Sequence, residues 1–195
     1  KLFLKAYLLI LLLVSVNLGQ DLKAIFDRGL ANLRAENYAE CINDFKSFHA
    51  KRSDVPQSHF NLGLCYASLK RSPEAISSYR EAIRLKSNYY AAIVELGNQL
   101  DDSGSYAEAV ETYQKAIDLE PNNYAAYSEM GIAHNRAKKF SLAEKVFLQS
   151  IKLNPDYASS YIGLGNSYYN SKQYAKALPI YQKGAMKAPQ SSTAQ

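Results

Sequence analysis

Three histidines, two cysteines and one adjacent aspartate pair are the residues here whose types suit metal binding, covalent chemistry or proton transfer. A protein metal site needs His, Cys or carboxylate ligands at recurring short spacings. His49, His59 and His134 lack such spacing and fall on different faces of the repeating unit that the glycines define. Asp101 and Asp102 adjoin a helix end before a glycine turn, so they are expected to be a solvated terminus rather than a general acid and base. Cys41 and Cys65 lie on helices of adjacent repeats. They can bridge in an oxidising compartment if their Cα atoms come within about 7 Å. Both occupy places where a small apolar residue packs, so free buried thiols are expected, with a disulfide as the alternative. The chain has no P-loop, no HExxH and no nucleophile elbow. Gly163 and Gly165 fall inside a helix, where they cannot make a phosphate-cradling turn. No cofactor, metal or catalytic residue is expected, and the chain reads as a non-enzyme.

The elements that must position everything else are set by Gly29, Gly63, Gly97, Gly131 and Gly165, spaced at a constant 34 residues. Self-similarity at one period over most of a chain marks an array in which each unit buries its apolar face against its neighbours. Between each glycine and the next small residue runs a short polar turn, so each unit is expected to be a hairpin of two helices. Glycine inside a helix costs about 1 kcal/mol relative to alanine, and five such glycines at one phase require close helix approach. The facing places on the second helices are also small: Cys41, Ala75, Ala109, Ala143 and Ala177. One turn further on come Phe45, Tyr79, Tyr113, Phe147 and Tyr181, on the same face and suited to fill the core.

In the cleanest copy, Tyr161, Leu164, Gly165, Tyr168, Ala177, Tyr181 and Pro189 follow the W-x2-L-G-x2-Y…A-x3-F…P pattern, with Tyr in place of Trp. This resembles the tetratricopeptide repeat. The resemblance implies an all-α, right-handed α-solenoid of five tandem helix-turn-helix repeats, at residues 22–55, 56–89, 90–123, 124–157 and 158–191, with a short tail at 192–195. Pro121, Pro155 and Pro189 end second helices. Ser53 and Ser87 stand at the equivalent places in the first two repeats, so weaker helix stops are expected there. Asn32 and Phe48 break the pattern in the first repeat, which is expected to act as an atypical end cap.

The first residues are of another kind. Lys1 and Lys5 precede an uncharged run from Ala6 to Val16, followed by Asn17, Leu18 and Gly19. That order suits a secretory signal peptide over residues 1–19, with cleavage after Gly19. An uncleaved membrane anchor or a buried helix are the alternatives. A secretory segment implies an extracytoplasmic setting, in the periplasm, the cell envelope or outside the cell. The missing initiator Met suggests that the chain lacks its first residues. The net charge of +5, from 23 Lys and Arg against 18 Asp and Glu, is ordinary for solubility. It is far from the basic stripe that nucleic-acid binding needs. Arg136, Lys138, Lys139 and Lys145 make a basic region, and Asp101, Asp102, Glu108 and Glu111 an acidic one. Both are expected to be solvated helix surface.

Binding is what remains. In the tetratricopeptide family the first helices line a concave surface that holds peptides. By that resemblance the groove of this chain is formed by Phe60, Asn61 and Leu64, by Val94, Glu95 and Asn98, by Ser128, Ile132 and Asn135, and by Ile162, Asn166 and Tyr169. A carboxamide both donates and accepts, so such asparagines can hold the backbone of an extended peptide while the apolar residues receive its side chains. The alternative is that they are only solvent-facing. Family members that clamp a chaperone's terminal carboxylate resemble one another in having Lys one turn before an Asn. Here Val94 precedes Asn98 and Ile162 precedes Asn166, so no such clamp is expected. The function expected is a protein-protein interaction scaffold with a polypeptide partner. The alternative is the sensing or regulatory array of a larger membrane-bound signalling protein or enzyme continuing beyond residue 195. Self-association through an open C-terminal end is a further possibility.

Overall fold

The computed structural model describes residues 20–187, and every regular element among them is helical. Residues 20–34 form α1, followed by α2 (Tyr38–Lys51), α3 (Pro56–Ser68), α4 (Ser72–Leu85), α5 (Tyr90–Asp102), α6 (Tyr106–Leu119), α7 (Tyr124–Arg136), α8 (Phe140–Leu153), α9 (Ala158–Asn170) and α10 (Tyr174–Lys187). Odd and even helices pair as hairpins, giving the all-α tandem-repeat fold. The segment 1–19, expected to be a signal peptide, lies outside the described residues, as do Pro189 and the tail 192–195. No helix of the described residues is long and apolar enough to cross a membrane. The chain divides into two compact units at Ala92 and Ile93, inside α5.

In the N-terminal unit, Gly29 on α1 admits the Phe45 ring of α2 so closely that a Cβ there would lie 3.0 Å from it. Gly63 on α3 does the same for Tyr79 of α4, at 2.5 Å. Phe26 meets Phe45 and Phe48 edge-on at 5.6 and 5.3 Å, so the unusual Phe48 is absorbed by a ring of the same hairpin. Asn32 is explained too. The buried Asp44 accepts from Asn32 at 2.8 Å and from Arg28 Nε at 2.7 Å, which makes this repeat's interior partly polar. Cys41 and Cys65 form a disulfide with Cα atoms 6.3 Å apart, joining α2 to α3. The expectation of free thiols is corrected. Two places that are small for packing reasons are, for the same reason, close enough to bridge.

In the C-terminal unit a Cβ at Gly97, Gly131 or Gly165 would stand 2.6, 2.8 or 2.6 Å from the rings of Tyr113, Phe147 and Tyr181. Gly163 is tighter, at 2.3 Å from the same Phe147, so that ring is held between α7 and α9. Ala143, Phe147, Leu164, Tyr168 and Ala177 are the buried core there, with Ile132, Ile151, Ile180 and Tyr181 packed against it. The helix stops differ from expectation. α2 and α4, without a following proline, are 14 residues long like α6 and α8 and end at the same phase. An extended residue, Arg52 after α2 and Lys86 after α4, ends these helices and bonds back to the last turn. Each hairpin turn holds one left-handed residue at the same period: Glu36, Lys70, Gly104, Lys138 and Lys172. Only the third repeat supplies the glycine that this conformation favours.

Candidate peptide-binding groove

Of the residues expected to line a groove, Phe60, Asn61 and Leu64 lie half-buried in the N-terminal unit, with Phe60 tilted against Tyr79 and Tyr89 at 5.9 and 5.2 Å. The rest belong to the C-terminal unit. There the structure brings Ile132 and Asn135 of α7 together with Ile162 and Asn166 of α9. With Arg136, Ser159, Gly163 and Asn170 they line one open cleft of about 470 Å³. Ile162 is 45% exposed and Tyr169, edge-on to Tyr174 at 5.4 Å, is 57% exposed. Both are large apolar surfaces available to a partner. Ser128 is fully buried and presents nothing to a groove.

The asparagines have partners within the protein. Tyr113 donates its hydroxyl to Asn98 Oδ1 at 2.8 Å, and Tyr181 donates to Asn166 Oδ1 at 2.7 Å. Both pairs span 15 residues at one phase of the repeat. At that phase the fourth repeat carries Ile132 and Phe147, an apolar pair, although Leu64 and Tyr79 do not follow the rule. A hydroxyl is matched by an amide and a bare ring by an aliphatic chain, and this covariation is the signal available in the sequence. Asn98 Nδ2 also reaches Glu95 at 3.4 Å. Asn135 donates from Nδ2 to the Gly163 carbonyl at 2.9 Å, and its Oδ1 lies 2.8 Å from the Ser167 hydroxyl. Its amide therefore ties α7 to α9. Asn166 lines the cleft, and with its oxygen engaged by Tyr181 its N–H group is the part left to donate.

Charge is arranged differently from the separate surface regions expected. Arg136 Nη1 bonds Asp101 Oδ2 at 2.7 Å and Asp102 Oδ1 at 3.1 Å, tying the end of α7 to the end of α5. Asp101 is only 5% exposed, not a solvated terminus. Burial pushes its carboxyl above the usual range, against the pull of Arg136. Glu129 on α7 is raised as well, by burial first and then by the Asp101 charge. Tyr168 is pushed up to about 12 by burial and by donating to Glu144 at 2.8 Å.

The histidines do not all lie apart. His49 at the end of α2 and His59 at the start of α3 stack with ring centres 3.9 Å apart. His49 Nε2 lies 2.8 Å from Ser58 Oγ, but that serine is fully buried, out of a substrate's reach. Among the described residues no group of three or more His, Cys, Asp or Glu is placed to hold a metal.

Hairpins locked by glycine-to-ring contacts, with an open cleft between successive first helices, define a tandem helical-repeat fold. Family descriptions agree: a tetratricopeptide repeat matches residues 56–89 and another 146–178, and a TPR repeat matches 97–137, together more than half of the chain. The chain belongs to the tetratricopeptide repeat family. No curated protein matches it in sequence. Among solved structures it is similar to a crystal structure of MamA protein, with a TM-score of 0.80 at 19% identity over 87% of this chain and 92% of that one. It is equally similar to MamA 41-end from Desulfovibrio magneticus RS-1, with a TM-score of 0.80 at 17% identity over 85% and 94%. These likenesses are of fold.

Proposed function

We propose that this chain is a non-enzymatic scaffold that holds a polypeptide partner in extended or short helical form against its first helices, in an extracytoplasmic compartment. The observation that carries the reading is the cleft between α7 and α9. It combines the exposed Ile162 with Ile132 as an apolar floor and offers the N–H edge of Asn166 as a donor to a backbone carbonyl. Apolar side chains supply affinity by burial, while amide donors bind any peptide backbone and so tolerate many sequences. The Cys41–Cys65 disulfide supports an oxidising compartment, where such bridges persist. The basic N-terminal residues followed by an apolar run support the same setting.

The test is the amount of polypeptide captured from extracytoplasmic extract by immobilised wild type and by the Ile162→Asp, Tyr169→Ser double variant, with circular dichroism confirming an intact fold. Both side chains are substantially exposed, so the fold is expected to survive. The double variant should lose most of the captured species. Equal capture by the two proteins would move binding off this face.

A further inference from the structure

Half-buried His49 and buried His59 form a stacked pair that the groove does not use. Their rings lie 3.9 Å apart and only 20° from parallel, at the joint where the first hairpin hands over to the second. His59 Nε2 lies 2.8 Å from the Ser53 carbonyl, which can only accept, so that nitrogen carries the proton. Ser58 Oγ donates to the Val55 carbonyl at 2.7 Å, leaving it to accept from His49 Nε2 at 2.8 Å. The two rings thus tie the 52–55 linker to the helices on either side, His59 at Ser53 directly and His49 at Val55 through Ser58.

Charged groups reach this joint from each neighbouring element. The linker brings Arg52, paired with Asp54 at 3.0 Å. From α4, Arg80, Glu81 and Arg84 line a cleft together with His59. Glu81 is the carboxylate that acts on His49, and it is shared with Arg84 at 2.7 Å. A proton added to the His49 ring sits against His59 at stacking distance, 3.9 Å between ring centres.

We infer that the stacked His49–His59 pair is an acid-operated catch between the first and second hairpins, closed while His49 is neutral and released when it takes up a proton. Burial, and then the neighbouring His59, lower His49 from 6.5 to about 4, with Glu81 opposing. The unfolded ring takes its proton near 6.5. In the window between these values the opened joint binds more protons than the closed one, so the catch holds above it and weakens as pH falls through it. The disulfide joins the same two helices, so release frees the linker without parting the hairpins. His59 is followed on α3 by Phe60 and Asn61. Release therefore reaches the first groove residues, a consequence that rests on the proposed function, whereas the catch does not.

The experiment uses the oxidised full chain, following the imidazole resonances and the backbone amide exchange of α2 and α3 by NMR between pH 7.5 and 4. His49 should titrate far below the ordinary range. Exchange protection around residues 49–59, corrected for intrinsic rates, should fall at least about tenfold by pH 4.5 relative to α7–α9. The His49→Gln, His59→Gln variant, which cannot titrate here, should show no such fall. A His49 that titrates at or above 6.5, or the same fall in that variant, would overturn the proposal. Should the double variant not fold, Glu81→Gln decides. It should move His49 titration and release to lower pH, and an unmoved midpoint counts against the catch.

Discussion

The tyrosine–asparagine pairs make a sharp stability prediction. Tyr113 is 1% exposed and gives its hydroxyl to Asn98 Oδ1 at 2.8 Å, whereas the same phase of the next repeat packs Phe147 beside Ile132. In Asn98→Ile the buried hydroxyl loses its acceptor, and an unsatisfied buried polar group costs about 1–3 kcal/mol. In Tyr113→Phe the amide is left with access to water, so the loss is smaller, about 0.5–1.5 kcal/mol. The double variant recreates the apolar pair that the protein already uses at Ile132 and Phe147. Its cost should therefore fall below the sum of the singles by about 1–2 kcal/mol, a coupling of the size expected for residues in contact. Urea unfolding of the four proteins, followed by far-UV circular dichroism and compared at equal denaturant slope, measures it. Additive costs would refute the pairing and return Asn98 to the role of an unengaged groove residue.

Four further perturbations have expected outcomes. Gly163→Ala forces a methyl to 2.3 Å from the Phe147 ring and should cost about 1–3 kcal/mol by overpacking. Gly104→Ala meets nothing within 4 Å but sits at φ +84°, and should cost about 1 kcal/mol from backbone strain alone; similar melting temperatures for Gly163→Ala and wild type would remove the steric explanation. Arg136→Met leaves the buried Asp101 without its cation, so it should destabilise by roughly 1–3 kcal/mol at neutral pH. The folded Asp101 carboxyl is already raised, so its charged form is penalised as pH rises through that value, and the variant's deficit should shrink on acidification from pH 7 to 4. A deficit independent of pH contradicts this. Reduction of Cys41–Cys65, which closes a span of 24 residues, should cost about 3 kcal/mol and lower exchange protection in α2 and α3 before α7–α9. Uniform loss along the chain would show that the bridge does not act locally.

The hairpins were legible because one packing solution recurs. Glycine, a small partner and a ring one turn later state the same contact five times, and chance does not produce that phase. Four of the five left-handed turn residues were not legible, because Glu36, Lys70, Lys138 and Lys172 hold a conformation that their side chains do not announce. The disulfide and the histidine stack both depend on how the linker after α2 folds back, a distance in space that sequence separation does not contain. Ile132, Asn135, Ile162 and Asn166 line one cleft, but their hydrogen bonds are not readable from residue type. Whether an asparagine faces a partner or a tyrosine depends on the residue 15 places later on the other helix. Asp101 was read as solvated because its partner, Arg136, comes from the following hairpin at a separation of 35 residues.

The most direct measurement of partner binding is site-specific photo-crosslinking. A photoreactive phenylalanine analogue is placed at Tyr169 beside the cleft, at Ile162 on its floor, and at Leu148 on α8 as a control that is 47% exposed. In the native compartment, positions 162 and 169 should each yield one and the same polypeptide adduct, and position 148 none. Adducts at 148 equal to those at 162 and 169, or none at any position while partner capture persists, would contradict a partner held against the first helices.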